Sequence, residues 1–172
     1  VHLDFGWITS AQDHVSQARD LAKRDGDLGN EARALLLEAE ASLWTGNPSE
    51  ARFIAASSLE IAARLSDWKL LADVELMRLA IELKVQLNPQ SDVIPRAQRL
   101  AAAALRRHDA PRASIGNRQG ALLALRQRDP ALAVELAETA LGQADSCRGW
   151  RDQTAAFLYV LAVSRHKAGI HR

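Results

Sequence analysis

The sequence predicts an all-α protein, an α-solenoid built as an array of antiparallel helical hairpins. Three observations carry this prediction. Asn47-Pro48, Asn88-Pro89 and Asp129-Pro130 recur every 41 residues, and one further step from Arg128 reaches Gly169. Asn or Asp before Pro starts a helix, because the short side chain caps free amides and Pro fits the first turn without a donor. Small and apolar columns keep the same spacing: Ala39, Ala80, Ala121 and Ala162; Leu59, Leu100 and Leu141; Ala22, Ala63 and Ala104. A fixed period of this kind is the mark of stacked repeats. The composition is rich in Ala, Leu, Arg and Glu and poor in aromatic residues, at 5%, which favours helix over strand.

Taken in order, Val1 to Ile8 read as the end of a helix and a turn at Gly6. Thr9 or Ser10 then caps a helix, with Asp13 completing a capping box and Val15, Ala18, Leu21 and Ala22 as its apolar stripe. A second helix, about Gly29 to Thr45, turns Leu28, Ala32, Leu35, Leu36, Ala39 and Leu43 inward and stops at Gly46. Pro48 to Leu65 is its partner, capped by Asn47, with Ala51, Ile54, Ala55, Ser58, Leu59 and Ala62 inward. Asp67 caps the next helix, Trp68 to about Leu87, packed through Leu76, Leu79, Ala80 and Leu83. Pro89 and Pro95 make Gln90 to Ile94 a loop or a separate turn, so the fifth helix runs from Pro95 to Arg107 through Ala97, Leu100, Ala101, Ala104 and Leu105. Asp109 and Pro111 open the sixth, to Arg128, in which Gly116 and Gly120 allow a close helix crossing. Pro130 to Ala144 is a clean partner through Ala133, Leu136, Ala137, Ala140 and Leu141. Trp150 to Ala168 closes the series with Leu158, Leu161 and Ala162 inside. The eight helices form one repeat domain over residues 1–172. The pattern opens halfway through a repeat and the chain starts at Val1, so the expectation is a fragment of a longer polypeptide.

The formal net charge is +1 but unevenly spread: residues 1–86 carry 9 basic and 14 acidic side chains, and residues 87–172 carry 13 and 7. Cys147 is the only cysteine, which excludes an internal disulfide and fits a reducing, cytoplasmic setting. The 172 residues show no secretory-leader pattern and no apolar run of membrane length, so no membrane partner is expected.

Gly46-Asn47-Pro48-Ser49-Glu50-Ala51 and Arg128-Asp129-Pro130-Ala131-Leu132-Ala133 resemble the inter-helix turn of tetratricopeptide repeats. Ala133, Ala137, Ala140 and Leu141 match that family's second-helix positions, and Leu76, Leu79, Ala80 and Leu83 its first-helix positions. A period of 41 rather than 34 lengthens each helix by roughly one turn. That long form resembles the MalT-like sensor regions of large ATP-binding bacterial transcription regulators. HEAT-like repeats have a similar period, but the Asn/Asp-Pro turn and the Ala columns favour the tetratricopeptide reading. Asn117, where a large apolar residue is expected, and Asp92 and Arg99, where small ones are, depart from the pattern.

The resemblance implies a right-handed superhelix whose first helices line a concave groove for a peptide, a helix or a neighbouring domain. Groove positions would be Arg33, Leu36, Glu40, Leu43 and Trp44; then Val74, Met77, Ile81, Lys84 and Val85. Further along they would be Ile115, Arg118, Leu122, Leu125 and Arg126; then Ala156, Tyr159, Val163, His166 and Lys167. The groove cations Lys84, Arg118, Arg126 and Lys167, opposed by Glu40, point to an acidic-hydrophobic segment as ligand, with the arginine heads in solvent. The bare ends of the array are expected to self-associate.

Other chemistries have weaker support. No Gly-rich phosphate loop is present, and no cofactor is implied. Ser164 to Lys167 fits a Ser-x-x-Lys motif without its companions, so a solvated helix face is the commoner reading and no enzyme is expected. His166 and His171 have no Cys or carboxylate nearby to complete a metal site. Trp68 and Trp150 repeat at helix starts and read as packing residues, whereas Trp44 divides evenly between packing and binding. Eight Arg and a single acid, Asp109, between Val93 and Arg128 allow a nucleic-acid surface. Without interleaved aromatics, base stacking has little support.

Overall fold

The computed structural model describes residues 5–85, 92–145 and 151–170, with side chains over 10–85, 92–145 and 156–170. Among the described residues there are eight α-helices and no strand: α1 (Phe5–Asp25), α2 (Leu28–Trp44), α3 (Pro48–Leu65), α4 (Trp68–Val85), α5 (Val93–Leu105), α6 (Ala110–Arg126), α7 (Pro130–Asp145) and α8 (Arg151–Lys167). None of these helices is long and apolar enough to cross a membrane. The chain divides into two compact units, Val1–Lys84 and Val85–Arg172.

In the first unit α2 packs on α1 and on α3. Ala32, Ala62, Leu70 and Val74 form one core cluster, and Ala39, Ala51, Ala55 and Ile81 another. Both clusters bring α4 against the α2–α3 hairpin. The stripe Ala51, Ala55, Ser58 and Ala62 on α3 is wholly buried, as its helical spacing requires. In the second unit α6 packs on α5, α7 and α8. The matching stripe on α7 is Ala133, Ala137, Ala140 and Ala144.

Burial repeats more faithfully at 82 residues than at 41. Ala39 and Ala121 are both fully buried, whereas Ala80 is half-buried and Ala162 exposed. Ala22 and Ala104 are buried, but Ala63 is exposed because the α3 stripe passes through Ala62 instead. The local geometry follows the longer period. Asp27 caps α2 by accepting from the Asn30 amide, and Asp109 caps α6 by accepting from the Arg112 amide. Gly26 and His108 take left-handed backbone at φ 70 and 56, and Gly46 and Arg128 at φ 85 and 61. The hairpin crossings match too. Ser58 donates from Oγ to the Ala32 carbonyl at 2.9 Å, and Ser114 donates to the Ala140 carbonyl at 2.6 Å. The two units carry the same bond with donor and acceptor helices exchanged. A buried hydroxyl needs such a partner.

Several expectations require correction. α1 starts by Phe5, so Gly6 lies within a helix and Ser10 is an exposed mid-helix residue rather than a cap. Its expected stripe is largely bare, with Leu21 53% exposed and only Ala22 buried. α5 starts at Val93, ahead of Pro95, which the first turn tolerates because its amides have no helical partner. Leu105 is exposed. On α8 the buried face is Phe157, Val160, Leu161 and Ser164, so the stripe is rotated and Leu158 and Ala162 face outward. Asn47 occupies the N-cap of α3 without a side-chain bond, whereas Asp67 and Asp129 accept from amides in the first turns of α4 and α7. A carboxylate is favoured over a neutral amide at that positive helix end. The Asn88-Pro89 turn, Cys147, Trp150, His2 and His171 lie outside the described residues.

The glycine crossing is present. A Cβ on Gly116 would sit 3.5 Å from the Ala97 carbonyl and the Ala101 methyl, and one on Gly120 would sit 3.2 Å from Leu136 Cδ1. Small residues on both helices let α5 and α6 approach closely. Asn117, the departure from the apolar pattern, is buried and donates from Nδ2 to Gln143 Oε1 at 3.1 Å. The positions 82 residues earlier are Leu35 and Ile61, so two apolar positions in one unit correspond to a hydrogen-bonded pair in the other.

Candidate interaction surfaces

In the first unit the candidate positions separate by burial. Val74 and Ile81 are 0% and 1% exposed and belong to the core; they are not available to a ligand. Their burial follows from α4 being covered on several sides, which a one-stripe reading of the helix misses. Leu36, Leu43 and Met77 are half-buried against the core clusters. Arg33 is exposed, with its guanidinium 3.7 Å from Asp67. Trp44 is 62% exposed, and Lys84 Nζ stands 6.0 Å from its ring centroid. Packing of Ile81 and Met77 against Ala39 and Leu43 brings the C-terminal ends of α2 and α4 together. That places a rigidly based aromatic beside a cation at the surface, a combination enriched at binding hot spots.

In the second unit Arg118, Leu122 and Arg126 share one face of α6 at i, i+4 and i+8. Arg126 is exposed and Leu122 half-buried. On α8 Tyr159 is 70% exposed, and His166 and Lys167 are also exposed. Arg118 departs from its expected place in solvent. It is half-buried, its guanidinium lies 5.0 Å over the ring of the buried Phe157, and its Nε has no hydrogen-bond acceptor. Burial lowers its pKa from the usual arginine value, although a guanidinium remains charged. The ring replaces part of the lost hydration by a cation–π contact. Phe157 lay off the expected stripe of α8, and its spacing with Val160, Leu161 and Ser164 is the signal that would have revealed this site.

Ser164 is fully buried, and its hydroxyl donates to the Val160 carbonyl at 2.8 Å. Ser164 therefore does not lie on the solvated helix face expected of it, although Lys167 is exposed. Among the described residues no group of His, Cys, Asp and Glu is placed to hold a metal ion.

Among the described residues the most exposed large apolar side chain is Phe53 on α3, at 76%, which is not one of the expected groove positions. Its signal was available, because position 53 falls out of step with Ala51, Ala55, Ser58 and Ala62. Two clefts open on α1 and its neighbours in the first unit. One, about 390 Å³, lies between Leu21 of α1 and Leu37 of α2. The other, about 440 Å³, lies among α1, α2 and α3 beside Phe53.

No family model, no curated protein and no solved structure matches the chain.

Proposed function

We propose that the chain is a protein-interaction scaffold with tetratricopeptide-like, α-solenoid architecture, holding a peptide or protein segment along its first-of-hairpin helices. In this reading it serves as an effector-sensing or docking region of a bacterial signalling or transcription regulator. The single observation that carries it is the exposure of large or charged side chains at equivalent positions 82 residues apart. Trp44 and Lys84 stand exposed at the ends of α2 and α4, and Arg126 and His166, 82 residues later, stand exposed at the ends of α6 and α8. A cation beside a solvent-exposed ring, as Lys84 stands beside Trp44, favours an acidic segment with apolar residues and steers its approach.

The test uses a short amphipathic peptide of Leu and Glu, titrated calorimetrically into the chain. Arg126→Glu with Lys167→Glu is the appropriate charge reversal, since both side chains are exposed; Arg118 is half-buried, and reversing it would disturb the fold. Affinity should fall at least about tenfold, equivalent to about 1.4 kcal/mol. An unchanged affinity would refute the assignment of these residues. A second reading, a nucleic-acid surface, draws on the exposed Arg99, Arg106, Arg107 and Arg128. It predicts binding of generic single-stranded DNA with a steep salt dependence, whereas the scaffold reading predicts a shallow one for the peptide.

A further inference from the structure

The cleft beside Phe53 is unlike the proposed scaffold face in both position and charge. Gln12, Asp13 and Arg19 of α1, Glu38 of α2, and Glu50, Phe53 and Ile54 of α3 border it. Its volume, about 440 Å³, has room for one or two side chains. Its base is firm, because Ile54 packs on the core cluster of Ala39, Ala51, Ala55 and Ile81. The Phe53 ring stands at the rim, 76% exposed. Arg19 and Glu38 neutralise one another at 2.6 Å. Asp13 and Glu50 are exposed and have no ion-pair partner among the described residues. The cleft therefore presents an aromatic wall and an aliphatic base beneath two uncompensated carboxylates.

We infer that this cleft is a second docking site, for a partner segment that inserts an apolar side chain flanked by lysine or arginine. The apolar residue covers Phe53 and Ile54, and the flanking cations meet Asp13 and Glu50. Exposed aromatic area gives a partner contact at small entropic cost, and the carboxylates select its charge. The site goes beyond the scaffold reading: α1 and α3 supply Asp13, Glu50 and Phe53, α4 takes no part, and it prefers the opposite charge.

The probe is an amidated amphipathic peptide of Leu and Lys, titrated into the isotopically labelled full chain and followed by amide chemical shifts. Shifts should concentrate at Asp13, Glu50 and Phe53, and the corresponding Leu and Glu peptide should leave these amides unmoved. Phe53→Ala should weaken binding at least about tenfold, while Phe53→Leu, which keeps an apolar wall, should stay within about threefold of wild type. Asp13→Asn with Glu50→Gln should weaken it comparably. Because Phe53 is exposed, its substitution leaves the fold intact, which the amide spectrum checks directly. Wild-type affinity in Phe53→Ala, with shifts spread over other acidic surfaces, would mean that only general charge attraction is present and would overturn the assignment. So would light scattering that shows a second copy of the chain occupying the cleft. Failure of the Leu and Glu peptide to bind α6 and α8 would affect the scaffold reading alone.

Discussion

The exchanged serine at the hairpin crossings gives a sharp prediction. In the first unit Ser58 Oγ donates to the Ala32 carbonyl at 2.9 Å, fully buried. In the second unit the serine stands on the other helix, where Ser114 donates to Ala140. Ser58→Ala removes a donor and strands nothing, because the Ala32 carbonyl keeps its own helical amide. The cost is the net value of one buried hydrogen bond, about 1 kcal/mol. Ala32→Ser alone crowds a second hydroxyl into a crossing of 0% exposure and should cost about 1–3 kcal/mol. Made together, the two changes recreate the arrangement of the second unit, with the hydroxyl at position 32 donating to the carbonyl at position 58. The double variant should return to within about 0.5 kcal/mol of wild type, a coupling above about 1 kcal/mol. Urea unfolding followed by circular dichroism measures this, provided the denaturant slope is unchanged. Additive losses in the double variant would show that the two crossings are not equivalent and would refute the 82-residue repeat of the packing.

Four further outcomes follow from the same structure. Ala39→Leu, at a fully buried crossing, should cost about 1–3 kcal/mol in thermal melts, whereas Ala162→Leu, on an exposed face, should lie within about 0.5 kcal/mol of zero; equal losses would restore the 41-residue register. Arg128 holds φ 61, so Arg128→Gly should stabilise by about 0.5 kcal/mol, the relief of left-handed strain less the added chain entropy of glycine, and a loss on denaturant melts would contradict it. Asn117→Leu should cost about 1–3 kcal/mol, because Gln143 Oε1 loses the donor it has at 3.1 Å, and an unchanged urea midpoint would contradict it. The Asp27 carboxyl is held below its usual value, chiefly by the Asn30 backbone amide; its stabilising contribution is therefore present above the unfolded Asp value of about 3.9 and is lost as pH falls through the folded one, so melts of wild type and Asp27→Ala should converge in acid and separate above about pH 4.

Much of the helical framework was legible because it rests on local chemistry. Asp67, Asp109 and Asp129 each accept from an amide in the first turn that follows, as the Asx signals suggested, and Pro48–Leu65 falls where Asn47-Pro48 and the alanine stripe placed it. What the sequence concealed was helix rotation. A shift of one residue in the buried face of α8 exchanges Leu158 for Phe157, and that shift desolvates Arg118. The spacing of 41 was visible in the turns, but burial depends on which helices a face meets, and that repeats at 82. Val74 and Ile81 were assigned to a binding surface because one stripe was assumed per helix, whereas α4 is buried on more than one side. The exposure of Phe53 was legible only by exclusion, because position 53 falls between the stripe residues Ala51 and Ala55.

The scaffold account is tested most directly by mapping the amphipathic Leu and Glu peptide onto the labelled chain by amide chemical shifts. The account predicts shifts at Arg126, Tyr159, His166 and Lys167 in the second unit and at Trp44 and Lys84 in the first. It also predicts a loss of those in the second unit when Arg126 and Lys167 are reversed to Glu. Shifts confined to α3, α5 and α7, or their persistence after charge reversal, would contradict it.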